Sequence, residues 1–152
     1  MPKIDIQKAR RSEGSGYPKP FDAPCRQRIR VALGDAGGLT QFGVNLLTLG
    51  PGAWSSQRHF HSHEDEFVRV LAGEVVLVEN GSETVLRAGD CAAFPAGAPV
   101  GHHLQNRTAA DAVVLEIGAR REAEDATDYP DLDMRYEPGK GYVRRDGTPY
   151  PK

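Results

Sequence analysis

Cysteine is scarce in this 152-residue chain, and the two present, Cys25 and Cys91, lie far apart with no C-x-x-C pairing. That argues against a zinc ribbon and a disulfide-rich scaffold. Cys91, inside "AGDCAAF", is expected to be a small buried apolar residue rather than a reactive thiol. An excess of one charge is also missing. Nineteen Lys and Arg stand against 21 Asp and Glu, a net charge of -2, so neither nucleic acid nor an anionic membrane is expected as a partner. Long apolar runs are absent, and "MPKIDIQKARR" contains no hydrophobic segment, so no membrane span or secretory signal is expected and a cytoplasmic location follows. The length suits one domain with one core, and one site is sought.

Sustained helical periodicity is the remaining absence, up to residue 118. What stands in its place is seventeen glycines and eleven prolines separating short runs rich in Val, Leu and Ala. "VNLLTL" ends at "GPG", "EFVRVLAG" leads into "EVVLVENGSETVLRAGD", and "CAAF", "GHHLQN" and "AVVLEIGA" follow. Asn80-Gly81 is a strong hairpin signal. The expectation is an all-β sandwich or barrel, spanning residues 29–118. Residues 1–28 read as an extended arm and residues 119–152 as a polar tail packed on the barrel. Four of the five tyrosines, Tyr129, Tyr136, Tyr142 and Tyr150, fall in that tail, where each can bury a ring and keep its hydroxyl wet.

The five histidines occupy two places: His59, His61 and His63 in "RHFHSHEDE", and His102 with His103 in "GHHLQN". On a strand, His59 and His61 project to one side. Glu66 opens an apolar strand face shared with Val68 and Val70, where a carboxylate is expensive to bury unless paired or bound to a cation. His102 and His103 point to opposite faces, so only one reaches an interior site. His63, Glu64 and Asp65 are expected on a wet loop, and Arg58 on the surface. Imidazole and carboxylate donors without thiolate suit a divalent ion such as Fe(II), Mn(II), Zn(II), Ni(II) or Cu(II).

"HFHSHEDEFVRVLAG" resembles the first motif of the cupin superfamily, H-x-H-x(4)-E-x(6)-G, through His59, His61, Glu66 and Gly73. "GDCAAFPAG" followed by "HHLQN" resembles the second, G-x(5)-P-x-G and then H-x(3)-N, through Gly89, Pro95, Gly97, His102 and Asn106. Four residues separate Gly97 from His102 where the usual motif has two, which leaves His103 as an alternative; the H-x(3)-N spacing favours His102. The resemblance, to small single-domain bacterial cupins, implies a double-stranded β-helix, or jelly-roll, barrel. It also implies one divalent metal held by His59, His61, Glu66 and His102.

Two functions are compatible with such a chain. One is a metal-dependent enzyme, an isomerase, lyase, decarboxylase or dioxygenase, on a small polar or carboxylated metabolite; the other is a non-catalytic small-molecule binding or sensing module. No second acid or base can be assigned to the interior from sequence. Phe67 and Leu71 alternate away from Glu66, and covering them by a second copy leads to the expectation of a homodimer.

Overall fold

The computed structural model describes residues 3–152; residues 1 and 2 of the N-terminal arm lie outside the described residues. Strands run in the order β1 (Arg11–Glu13), β2 (Arg28–Ala32), β3 (Phe42–Leu49), β4 (Phe60–His61), β5 (Glu66–Ala72), β6 (Glu74–Glu79) and β7 (Ser82–Arg87). They continue with β8 (Cys91–Phe94), β9 (His103–Gln105), β10 (Ala112–Ala119), β11 (Thr127–Tyr129), β12 (Met134–Glu137) and β13 (Gly141–Val143). The one α-helical element among the described residues is a single turn, α1 (Leu33–Ala36). None is long and apolar enough to cross a membrane.

Every pairing is antiparallel. One sheet has the order β1-β2-β3-β10-β5-β8, a second β7-β6-β9 and a third β13-β12-β11-β4. The strands form because short β-branched and leucine runs alternate faces between turn glycines. Asn80-Gly81 closes the β6-β7 hairpin between Glu79 and Ser82, and the positive φ of 69° falls on Gly81 alone, a conformation that glycine adopts without strain. The core lies between the first two sheets, where Leu47, Leu49, Val70 and Val114 meet Val75, Leu77, Leu86 and Leu104. This is the jelly-roll architecture.

Registers divide the inner face of the six-stranded sheet into rows. The deepest joins Arg28, Leu49 and Ala112; the next joins Arg30, Leu47, Val114 and Val70; then come Ala32, Asn45, Glu116, Val68 and Ala92, and at the mouth Gly43, Gly118, Glu66 and Phe94. Outward, Val44, Ile117, Phe67 and Ala93 form one row and Val31, Leu46, Leu115, Arg69 and Cys91 another. Phe67 and Leu71 are exposed on this outer side.

One expectation is corrected. Cys91 is exposed, because β8 turns Ala92 and Phe94 inward and the alternation sends Cys91 outward. The tail contains β11, β12 and β13, which extend a sheet from β4, with Tyr129, Met134 and Val143 buried beneath them. These strands are three or four residues long, too short for alternation to stand out in so polar a segment. The N-terminal arm also contributes β1, paired to β2, and places Tyr17 against Tyr129 and Tyr142 at ring distances of 5.6 Å.

Gly73 sits between β5 and β6 at φ 76°, and a Cβ there would lie 2.7 Å from the Asp111 carbonyl oxygen. Gly73→Ala is expected to lower stability by more than ~1 kcal/mol, whereas Gly16→Ala, with open space around it, should leave the urea midpoint nearly unchanged. Equal midpoints for the two variants would refute this account of the turn.

Candidate metal centre

Glu66 enters the interior as the first residue of β5, and three imidazoles reach it from two other strands. His59 lies opposite His102 in an isolated antiparallel bridge, closed by His59 N–H to the His102 carbonyl at 3.1 Å and the reciprocal bond at 2.9 Å. His61 follows two residues later on β4. The Nε2 atoms of His102, His61 and His59 stand 2.6, 3.1 and 3.6 Å from the Glu66 carboxylate. All four residues expected at the site are thus together. His103 is turned away: its Nδ1 donates to the Ser56 carbonyl at 2.8 Å, and its ring packs edge-on against Trp54. His63 is exposed on the loop.

The second nitrogens are oriented from outside. Nδ1–H of His59 donates to the Gln57 carbonyl at 2.8 Å, and that of His61 to Asp125 Oδ2 at 2.6 Å. Each bond leaves Nε2 as the inward atom. Phe94 stacks flat on His102, with centroids 3.6 Å apart. The buried His102 Nδ1 has no hydrogen-bond partner among the described residues.

Electrostatics tie these groups into one unit. Burial alone would raise the Glu66 pKa, but the three imidazoles outweigh it and hold the carboxyl well below its usual range. Burial likewise pushes His61 down, yet Glu66 and Asp125 together lift it to about 9. His102 is lowered, chiefly by burial. His61 is the histidine flanked by two carboxylates, Glu66 and Asp125, which is the cause of its upward shift. His59, His61 and Glu66 could together hold a metal ion, and His102, in the residue just before β9, closes the same cluster. The donors are nitrogen and oxygen with no thiolate, a set that fits a borderline divalent cation.

Sequence reasoning missed Asp125, which lies in the tail 64 residues from His61; only chain folding brings it there, and no local spacing announces it. Glu64 is half-buried and 3.8 Å from His61 Nδ1, while exposed Asp65 accepts the Ala96 N–H. Arg58, expected on the surface, has a side chain only 14% exposed and pairs with both oxygens of Asp131 at 2.8 Å. The tail covers that side of β4, which is why the alternation argument failed for Arg58. The interior also holds an unanticipated pair, Arg30 Nε to Glu116 Oε1 at 2.6 Å.

In the metal-free chain, the His61 proton contributes stability that is complete below the ordinary pKa of 6.5 and fades as pH rises through about 9. A metal must displace that proton, so its affinity should climb with pH up to about 9. Asp125→Ala is expected to weaken metal affinity by about 10- to 100-fold and to move the His61 titration downward. Competition titrations across pH and histidine NMR check both, and a pH-independent affinity between 6.5 and 9 would contradict them.

The Cupin domain family model matches residues 45–118, the segment that carries β3 to β10 and all four converging side chains. Among solved structures, a sugar phosphate isomerase from a cupin superfamily of Silicibacter pomeroyi is 47% identical, with TM-score 0.91, covering 97% of this chain and 96% of its own. A candidate sugar phosphate isomerase of Acidithiobacillus ferrooxidans is 31% identical, with TM-score 0.73 and coverage of 82% and 81%. The polyketide cyclase RemF of Streptomyces resistomycificus shares the fold at 17% identity, TM-score 0.63, and coverage of 78% and 79%. A comparison with curated proteins finds no match. With two motifs in order, the jelly-roll sheets and a full-length relative at 47% identity, the chain belongs to the cupin superfamily.

Proposed function

We propose that this cupin is a metal-dependent isomerase of a small phosphorylated sugar, with one divalent ion held by His59, His61, Glu66 and His102. The observation that carries the metal reading is the convergence of three imidazoles on Glu66 at one end of an interior cavity. The reaction class is the one named for the relative 47% identical over nearly the whole chain. A bound divalent ion supplies Lewis acidity toward carbonyl and hydroxyl oxygens. The chain's own residues do the rest. Gln57 and Asp125 fix the imidazoles, Phe94 and Val68 keep the floor beside Glu66 apolar, and Gly118 leaves space next to the Glu66 side chain. The cavity of about 240 Å³ lies just under the common small-ligand range of about 300–1,000 Å³, which suits a small metabolite and excludes a polymer.

Protein purified without added metal should contain about one divalent ion per chain and interconvert aldose and ketose phosphates at the same rate in air and under nitrogen. Alanine at His59, His61, Glu66 or His102 should empty the site and abolish turnover, while His63→Ala and His103→Ala keep the metal. Metal loss should also lower the melting temperature, since an ion bound only by the folded chain stabilises it by mass action. Turnover that consumes oxygen would replace the isomerase reading with an oxygenase.

We also propose a homodimer formed through the outer face of the six-stranded sheet. Phe42, Phe67 and Leu71 are exposed there, beside half-buried Val44, Leu46 and Ile117, and a second copy offers the same apolar surface in return. Light scattering should report twice the chain mass, and Phe67→Asp combined with Leu71→Asp should give monomers. A wild-type monomer at micromolar concentration would sink this assignment.

A further inference from the structure

The interior cavity is lined on one side by Glu66 and His102 and on the other by Arg30, Asn45 and Glu116. Burying a guanidinium and a carboxylate in the face that also carries Leu47, Val114 and Val68 contributes little to stability, since desolvation offsets most of the attraction. The pair therefore calls for another explanation.

Its geometry leaves donors free. Only Arg30 Nε is engaged, by Glu116 at 2.6 Å; among the described residues neither terminal nitrogen of Arg30 has a partner, and its side chain is 33% exposed, into the cavity. Two residues earlier on the same face, buried Arg28 is satisfied by neutral carbonyls, those of Gly14 and Ser55. Arg28 is thereby satisfied away from the cavity, whereas Arg30 lines it with Glu116 as its one hydrogen-bonded partner among the described residues. The registers place Asn45 and Glu116 one row above Arg30 and one row below Glu66. Arg30 on β2 and Glu66 on β5 stand two rows and three strands apart, and both line the same cavity, so a molecule inside it that touches the metal cluster faces Arg30 on the opposite wall. Gly118, in the row of Glu66, puts no side chain in the path.

We propose that Arg30, held in place by Glu116, binds the phosphate of the substrate whose sugar oxygens reach the metal cluster. The assignment rests on the isomerase reading for the sugar end; the anion subsite itself rests on Arg30. A guanidinium fixed through Nε presents its two terminal nitrogens as a fork, the geometry that grips phosphate oxygens in a bidentate manner. Glu116 is a positioning residue here, and it bars a second anion from the same place.

Calorimetry with inorganic phosphate and with acetate, on metal-loaded and chelator-treated protein, tests the subsite. Phosphate should bind both forms of the wild type, at least tenfold more tightly than acetate. Arg30→Lys should lose tenfold or more because the fork is gone. The double variant Arg30→Met with Glu116→Met avoids an orphaned buried charge; it should fold, keep the wild-type metal content and lose phosphate binding. A folded double variant that binds phosphate like the wild type overturns the proposal, as does a wild type that binds no phosphate at millimolar concentration. Acetate bound as tightly as phosphate overturns the phosphate assignment. A wild type without metal whose phosphate binding still depends on Arg30 sinks the metal-centre reading alone.

Discussion

A carboxylate stands at the end of an otherwise apolar strand face, and the architecture around it answers that constraint. Glu66 shares its face of β5 with Val68 and Val70, where an ionised group without partners would be costly. Three imidazoles compensate it, and each comes from a segment that must be held in register for the purpose. His59 and His102 are fixed by their mutual backbone bridge, and His61 by the pairing of β4 with the tail. The jelly roll thus does more than enclose a core: it brings β4, β5 and β9 to a common point.

The tail is part of that support. Asp125 grips His61, Thr127 pairs with it across the strands, and Asp131 neutralises Arg58 behind it. On the N-terminal side, Arg28 ties the arm at Gly14 to Ser55, while Tyr17 packs between tail and barrel. Both flanks therefore act on the orientation of the ligand strand. Charged and polar side chains recur along the inner face of the six-stranded sheet, at Glu66, at Asn45 and Glu116, and at Arg30 on the far wall of the cavity.

The amino-acid sequence by itself determined the strand-forming runs, the hairpin at Asn80-Gly81 and the clustering of His59, His61 and Glu66, because these depend on alternation and turn chemistry within a few residues. The two spaced motifs carried His102 as well, and its facing away from His103 follows from the period of two. Only the tertiary structure decided what alternation cannot encode: that Asp125 supports His61, that Arg58 is covered, that Cys91 faces outward, and that Arg30 meets Glu116 across 86 residues. Each of these is a pairing between distant strands. Registers between such strands are set by the packing of the whole core, so no local stretch of sequence contains them.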